Sequence, residues 1–252
     1  AQTLTYALTN SPEGAAVSAT GEIIWTPTEA QGTMSTNITV CVTDDGTSNL
    51  TVWRTFQVVV NEINVTPSSL TLPPNQAFDE QTAFSANATA TDADLPANAF
   101  EFALVSGPEG LTVSSGGAIA WTPTEPQGSN VYTVTICVTD SNPGAVNGEH
   151  LSMTNSFELT VNEVNRLPVM GTLADHRVDP GQTLSFTATA TDPDEPANAL
   201  AFSLLSPPAG AAIDAGSGLF TWRPGVALAD TTNTIQVRVE DNGSPLLNDK
   251  NS

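Results

Sequence analysis

Apolar and polar residues alternate with a period of two along much of this chain, a pattern typical of β-strands that bury one face. Residues 131–138 and 186–190 show the alternation most clearly, and both segments are rich in Thr or Val. Pro and Gly, with 18 of each, interrupt it at intervals of roughly 8–12 residues. This punctuation leaves no room for long helices. The pattern therefore predicts an all-β chain of short strands.

The chain also repeats itself about every 100 residues. One five-residue segment occurs three times, at residues 4–8, 100–104 and 200–204. A Trp follows each copy after a turn rich in Pro and Gly: Trp25, Trp121 and Trp222. Two similar linkers, residues 61–64 and 162–165, separate the copies. Such periodicity indicates tandem copies of one structural unit.

The repeat boundaries follow from the linkers and give three domains. We predict a partial repeat that lacks its first strands (residues 1–64), a complete repeat (residues 65–165), and a repeat that lacks its last strand (residues 166–252). Either the chain is a piece of a longer array, or strands from another molecule complete the partial repeats. The pattern leaves both interpretations open.

We expect seven strands in the complete repeat, which is the count of an Ig-like Greek-key β-sandwich. They lie near residues 70–74, 81–90, 99–105, 111–114, 117–122, 131–139 and 152–161. Alternation places these side chains in the core: Tyr132, Val134, Ile136, Val138, Phe157, Leu159 and Val161. The repeated Trp residues are expected to fill the cores, because burying a large ring dominates so small an interior.

The charge balance narrows the classes of partner. Six Lys and Arg stand against 27 Asp and Glu, and the formal net charge is −21. Nucleic acid and anionic membranes are therefore poor partners, whereas cations are favourable ones. Lys250 is the only Lys, so a Lys-dependent enzyme mechanism has little to draw on. No apolar run is long enough to cross a bilayer, and the chain opens at Ala1 without a basic, apolar leader.

Strand order predicts that carboxylates gather where consecutive repeats meet. If the strands alternate in direction, two loops of one repeat and the incoming linker lie at the same end, and a loop of the preceding repeat points toward them. At the second meeting point this brings together Asp192, Asp194, Asp241, Glu163, Asn165 and Glu125. At the first it brings together Asp92, Asp94, Asp140, Glu62, Asn64 and Glu29.

Oxygen ligands of this kind suit Ca²⁺. Two carboxylates about 5 Å apart repel each other by roughly 3 kcal/mol at an effective dielectric constant of about 20, so several of them need a cation. The competing interpretation is that each Asp only caps backbone N–H groups in a turn. The convergence of the set favours Ca²⁺.

The motifs resemble those of cadherin-like repeats of bacterial surface proteins. The resemblance lies in residues 190–194, in residues 237–245 and in the Asn-Glu-Val-Asn linker, and it extends over essentially the whole chain. The Trp-Thr-Pro-Thr-Glu stretches at residues 25–29 and 121–125 are similar to the neighbouring putative-Ig and dystroglycan-type cadherin-like families. The resemblance implies Ca²⁺ ligation by the Asp-x-Asp pairs, the Asp after the sixth strand, the Glu after the fifth strand and the linker acid.

Two departures from the cadherin pattern bear on the metal sites. Cadherin linkers carry several acids, whereas each linker here has one, Glu62 or Glu163. Fewer charges imply fewer or more weakly bound ions. In the third repeat the motif after the fifth strand begins Trp222-Arg223-Pro224 and has no Glu.

Two other features remain open. Cys41 and Cys137 occupy the same place in successive repeats and face away from their own cores, as inert thiols or as a lateral contact between molecules. Trp53 breaks the phase of a strand in which Phe56, Val58 and Val60 point inward. It is either an exposed contact residue or buried by a local bulge.

These observations predict a non-catalytic, extracellular rod of repeats whose rigidity depends on Ca²⁺ between them. Its expected partners are other repeats of the same or a neighbouring chain, and a surface ligand or glycan. The first alternative is a subunit of an extracellular filament that exchanges strands with its neighbours. The second is a carbohydrate-binding accessory module, which would need a coplanar set of exposed aromatic residues.

Overall fold

The computed structural model describes residues 2–251, and these residues form an almost entirely β structure. The first repeat contains β1 (Leu4–Asn10), β2 (Ala16–Val17), β3 (Ile23–Ile24), β4 (Ser35–Asp44) and β5 (Thr51–Val59). Three short 3₁₀ helices occur at Glu29–Gln31, Glu125–Gln127 and Val226–Leu228. None of the helices in the described part of the chain is both long and apolar enough to span a membrane.

The second repeat contains nine strands. They are β6 (Ser69–Thr71), β7 (Gln76–Asp79), β8 (Phe84–Asn87), β9 (Thr89–Thr91), β10 (Ala99–Ser106), β11 (Thr112–Val113), β12 (Ala118–Trp121), β13 (Asn130–Ser141) and β14 (Ser152–Asn162). The principal sheet has the order β10-β13-β14-β7, and a second sheet has the order β11-β12-β8. β7 joins β14 in parallel, with Leu159 opposite Gln76, while β6 pairs with β9.

The third repeat follows the same plan with shorter strands. They are β15 (Val169–Met170), β16 (Leu184–Thr187), β17 (Ala190–Thr191), β18 (Ala201–Leu205), β19 (Ala212–Ile213), β20 (Leu219–Trp222), β21 (Gln236–Glu240) and β22 (Asn248–Asn251). Its sheets have the orders β18-β21-β22 and β16-β20-β19, with β15 paired to β17. The predicted all-β, Ig-like fold is confirmed.

Two predicted strands of the second repeat are interrupted. The first, expected near residues 70–74, ends at Thr71, and β7 begins only after Pro73 and Pro74, which have no N–H group to donate to a ladder. The second, expected over residues 81–90, breaks at Ala88, whose N–H donates to the carbonyl oxygen of Gly117 at 2.8 Å. The other five predicted strands differ by a few residues at their ends.

The predicted core of the second repeat is confirmed, apart from one residue. Val134, Ile136, Val138, Phe157, Leu159 and Val161 are buried, and Tyr132 is half-buried. Ile119 and Trp121 are buried as well, and the Trp121 indole N–H donates to the Glu109 carbonyl oxygen at 3.1 Å. The third repeat has a corresponding core cluster of Met170, Ala188, Phe202, Val237 and Val239.

The first repeat is open on the face that was expected to be its core. Among its described residues, Ile38 is the only fully buried apolar side chain, at 2% exposure. Phe56 points to the inner face, opposite Ile38, as predicted, but it is 43% exposed, and Val58 and Val60 are half-buried. The described part of the first repeat contains no strands that correspond to β6 to β9 of the second repeat, so much of the inner face of the β1-β4-β5 sheet is uncovered.

Trp53 lies on the outer face of that sheet and is 54% exposed. The β4–β5 register runs without a break from Ser35 opposite Val59 to Thr43 opposite Thr51, so no bulge turns Trp53 inward. It lies opposite Cys41, which is half-buried and free, as is Cys137.

The chain divides into two compact units, and the division passes through the second repeat. The first unit contains the described chain up to Pro74, with Ser85–Trp121 and Thr133–Glu158. The second contains Asn75–Phe84, Thr122–Tyr132 and the described chain from Leu159 onward. Each linker therefore lies inside one unit. The three domain boundaries inferred from the repeats remain a prediction.

Candidate metal centres

The predicted ligands fall into two groups, one in each compact unit. We call site A the group Glu29, Glu62, Asn64, Asp92, Asp94 and Asp140 in the first unit, together with Asn98 and Asn142. We call site B the group Glu80, Glu125, Glu163, Asn165, Asp192, Asp194 and Asp241 in the second unit, together with Asn198. The strand ends and the linker of each unit position these side chains.

The Asp-x-Asp turn is built in the same way at both sites. It follows a short strand, β9 or β17, and the side chain of its first Asp accepts the N–H of its second. The distance from the amide N to Oδ1 is 2.9 Å for Asp94 to Asp92 and 3.2 Å for Asp194 to Asp192. An Asn four residues after the second Asp donates to that residue's Oδ2, at 2.6 Å from Asn98 and at 2.6 Å from Asn198.

The linker enters each site through its second Asn. The Asn64 amide donates to Asp140 at 2.8 Å, and that of Asn165 donates to Asp241 at 3.0 Å. The backbone N–H of the next residue then donates to both carboxylate oxygens of the second Asp, at 3.2 and 3.2 Å for Val65 and at 3.2 and 3.3 Å for Arg166. Linker and turn are thus bound together at both sites by the same contacts.

Site A has four nearly completely buried members: Glu62, Asn64, Asp94 and Asp140. Asn142 donates to Glu62 at 3.3 Å and to Asp94 at 3.4 Å. Gly32 leaves the space that the Glu62 carboxylate occupies, because a Cβ at this position would collide with it. Glu29 is exposed at the rim and accepts the N–H of Leu95 at 3.3 Å.

If these acids only capped backbone N–H groups, the caps would account for just one of the two carboxylate oxygens in several of them. Oδ1 of Asp92 accepts the N–H of Asp94, and Oδ1 of Asp140 accepts the N–H of Leu151 at 2.8 Å. The second oxygen is buried and has no hydrogen-bond partner in Asp92, Asp140, Asp192 and Asp241. Buried polar atoms are rarely left without a partner, so these oxygens point to a missing ligand.

Site B contains a carboxylate that the sequence analysis missed. Glu80 follows β7, is 4% exposed, and neither of its carboxylate oxygens has a hydrogen-bond partner. Its side chain meets those of Glu125 and Glu163, and one oxygen from each lies within 4.8 Å of the others. A Cβ on Gly128 would collide with both Glu80 and Glu163, so only Gly leaves room for this approach.

The electrostatics of site B show an excess of negative charge. Burial, followed by repulsion from Glu125 and Glu163, raises the pKa of Glu80 to about 7. Burial and the neighbouring Glu125 and Asp194 also raise the pKa of Glu163. Burial acts to raise the pKa of Asp241 as well, but N–H donors from Asn165, Leu247 and Gly243 together lower it. A cation among the three Glu residues would remove the repulsion.

Two side chains, one cationic and one with an amide group, already contact this cluster. The Arg166 guanidinium lies 2.5 Å from Oε2 of Glu125, and the Gln81 side-chain amide donates to the same oxygen at 2.6 Å. Oε1 of Glu125 is buried and without a partner. One oxygen of Glu125 is therefore held by protein donors and the other remains for a ligand.

The donor set at both sites consists of carboxylate and amide oxygens. Hard cations such as Ca²⁺ take six to eight oxygen ligands, whereas metals that select thiolate or imidazole would find neither here. The orphaned, buried oxygens and the space left by Gly32 and Gly128 fit such an ion. The residues present therefore fit Ca²⁺.

Sequence signals existed for some of the missed residues. Asn98 and Asn198 recur at the same spacing after their Asp-x-Asp pairs, as 92-DADLPAN-98 and 192-DPDEPAN-198, and this repetition could have identified them. Glu80 has no such signal, because the equivalent position of the third repeat is Pro180: Gln81 and Gly181 donate to the carbonyl oxygens of Pro123 and Pro224 in the same way. Its role is visible only once Glu125 and Glu163 are brought beside it.

Comparison with known proteins supports the fold described above. Residues 65–162 match the family described as "Putative Ig domain". The fold is similar to mouse cadherin-23 repeats EC22–24, with a TM-score of 0.58, 24% identity, and coverage of 98% of this chain and 84% of that one. It is also similar to human CDH23 repeats EC21–23, with a TM-score of 0.52, 17% identity, and coverage of 98% and 87%. No curated protein sequence matches the chain.

These similarities confirm the resemblance to cadherin-like and putative-Ig repeats. At these identities the solved structures establish the fold.

Proposed function

We propose that this chain is a non-catalytic, extracellular stretch of tandem cadherin-like repeats in which Ca²⁺, bound at sites A and B, orders the connections between repeats. The observation that carries the proposal is Glu80, which is 4% exposed and has two partnerless oxygens directed at two further carboxylates. A buried, uncompensated cluster of this kind is costly without a cation.

Calcium at site B would be held by Glu80, Glu125 and Glu163, with Asp192 and Asp241 contributing oxygens that lack partners. Asp194 would contribute an oxygen that already accepts a hydrogen bond. At site A the corresponding ligands would be Glu62, Asp92, Asp94 and Asp140, with Glu29 at the rim. The ion would supply positive charge that links oxygens from three segments. These are the linker, the Asp-x-Asp turn and the end of the sixth predicted strand, which is β13 at site A and β21 at site B. These segments are distant in sequence, so the ion would restrict the motion of one repeat against the next.

Thermal unfolding with Ca²⁺ and with a chelator tests the proposal. A ligand at about 100 times its dissociation constant stabilises the folded state by about 2.7 kcal/mol, so the melting temperature should rise measurably. Small-angle X-ray scattering should show a narrower distribution of dimensions with Ca²⁺. Identical melting curves and identical scattering in the two conditions would refute the calcium role.

One observation favours a second candidate, the filament subunit. The inner face of the β1-β4-β5 sheet is open, and Phe56 is 43% exposed where the equivalent Phe157 is 4% exposed. Strands from a neighbouring molecule would cover it. Multi-angle light scattering over a range of concentrations distinguishes the two candidates, because strand exchange gives concentration-dependent oligomers and an array of repeats gives monomers.

A carbohydrate-binding role has less support. Trp53 is exposed on the outer face of its sheet, but a flat glycan site uses several coplanar rings, and the neighbouring positions on this face are Thr residues and Cys41. Trp53→Ala should leave glycan-array binding unchanged if the chain is not a glycan receptor.

A further inference from the structure

Arg166 is one of only six Lys and Arg residues in the chain, and its side chain lies at site B. Its guanidinium is 2.5 Å from the Glu125 carboxylate, with side-chain exposures of 36% for Arg166 and 14% for Glu125. The pair is thus partly shielded from solvent. The same carboxylate belongs to the cluster with Glu80 and Glu163 that would hold Ca²⁺.

Site A has no equivalent cation. Val65 occupies the position of Arg166, because the N–H groups of both residues make the same bonds to the second Asp of their Asp-x-Asp turns. The counterpart of Glu125 at site A is Glu29, which is exposed and accepts the N–H of Leu95. The shared linker position is therefore apolar at site A and cationic at site B, and site B also contains the buried carboxylate of Glu80.

We propose that Arg166 is a built-in counter-cation of site B, which keeps this linker ordered in the absence of calcium and weakens the binding of calcium when it is present. The inference rests on the proposed function and concerns the regulation of the same site. It makes site B less dependent on calcium than the same site would be without Arg166.

The physical argument has two parts of opposite sign. In the metal-free state a positive charge beside Glu125 offsets the repulsion among three carboxylates. In the metal-bound state the same charge repels a divalent ion a few ångströms away, since the interaction scales with the product of the charges and is weakly screened at short range.

If Arg166 served only to orient Glu125, removing Arg166 would have the opposite effect on the affinity of site B for calcium. Arg166 and Gln81 hold Oε2 of Glu125 and leave Oε1 turned into the cluster. If this positioning were the dominant effect, removing Arg166 would loosen a ligand and weaken calcium binding. The sign of the change in affinity therefore decides between a counter-cation and an orienting residue.

Hydrogen exchange measured by mass spectrometry can follow both linkers in one molecule. The reporters are peptides that cover residues 61–67 and 162–168, whose amides at positions 65 and 166 are hydrogen-bonded to the metal-binding Asp residues. The test variant is Arg166→Val, which copies site A, and Arg166→Gln serves as a second, polar variant. The matched control is Arg238→Val, which removes another Arg of similar exposure, 37%, whose guanidinium lies 2.6 Å from the Glu240 carboxylate.

We expect Arg166→Val to lose protection of residues 162–168 in chelator, while residues 61–67 are unchanged. In a calcium titration, the midpoint for residues 162–168 should shift to a lower concentration by about three- to tenfold, in line with removal of a nearby positive charge. Val65→Arg should produce the reverse shift at residues 61–67. Arg238→Val should leave both midpoints as in the wild type.

An unchanged or higher midpoint for residues 162–168 in both Arg166 variants would overturn the inference, as would unchanged protection in chelator. Failure of the proposed function has a different signature: calcium would then protect neither linker in the wild-type protein. If Arg166→Val does not fold, the Arg166→Gln variant gives the same comparison.

Discussion

Single side chains decide whether carboxylates can gather beside each linker. At site B the decisive pair is Glu80, which brings a buried charge, and Gly128, which leaves the space for it. Because Gly128 has no side chain, the carboxylates can approach the end of the 3₁₀ helix Glu125–Gln127 without distorting that helix. Site A uses Gly32 and Glu62 in the same way.

Replacing Glu80 with Gln should raise the stability of the metal-free protein and weaken the binding of calcium. Glu80→Gln removes a buried charge that has no partner, so the metal-free protein should gain about 1–3 kcal/mol of stability, and the stabilisation by calcium should fall. Urea unfolding in chelator and in excess calcium measures both effects. Glu101→Gln, at an exposed strand position, is the control and should change neither.

Replacing Gly128 with Ala should damage the site without removing any charge. The added methyl group would displace the carboxylates of Glu80 and Glu163, while the backbone angle φ of −61° suits Ala. We expect a weaker affinity for calcium in isothermal titration and a melting temperature in chelator close to that of the wild type. Gly148→Ala, where nothing lies within 4 Å of the new methyl group, should bind as the wild type does.

The equivalent strands β5 and β14 of the first and second repeats differ in burial because the strands around them differ. Thr39 and Thr55 pair across β4 and β5 as Thr135 and Ser156 pair across β13 and β14, so Phe56 and Phe157 are equivalent residues. Phe157 is 4% exposed and Phe56 is 43% exposed, since only the second repeat has strands that cover this face. Alternation placed both side chains on the inner face, where the structure has them, but it could not show whether other strands cover that face.

Truncating these two Phe residues should therefore have unequal effects. Phe157→Ala leaves a cavity in a packed core and should cost about 3–5 kcal/mol. Phe56→Ala should cost less than half as much in the same urea unfolding experiment, because its ring is already in contact with water. Equal losses would mean that the inner face of the first repeat is covered in solution.

The whole molecule carries a formal net charge of −21, which makes its stability depend on ions in two ways. Sites A and B are the places where this charge is concentrated and partly buried. A protein with this balance repels itself when its carboxylates are not neutralised.

Added NaCl should consequently act in opposite directions with and without calcium. In chelator, raising NaCl from low to physiological concentration should increase the melting temperature, because salt screens the repulsion among carboxylates. At a limiting calcium concentration it should decrease the calcium-dependent part of the shift, because screening weakens the attraction of the ion. Differential scanning calorimetry in the four conditions measures this, and the same salt effect in both states would contradict it.

The sequence alone determined the features that depend on local spacing. A period of two residues identified the strands and most of the core, the Trp spacing identified the repeats, and the order of strands placed the Asp-x-Asp pairs beside the linkers. These relations are set by covalent connection and by backbone geometry. They can therefore be inferred without knowing which distant segments are neighbours.

Only the tertiary structure decided which distant groups meet. Glu80 joins Glu125 and Glu163, Gly128 makes room for them, and Arg166 selects Glu125 as its partner. The exposure of Phe56 likewise depends on which strands lie over its face. Burial and electrostatic interaction depend on distance in space, and residues far apart in the chain come close only when the strands pack.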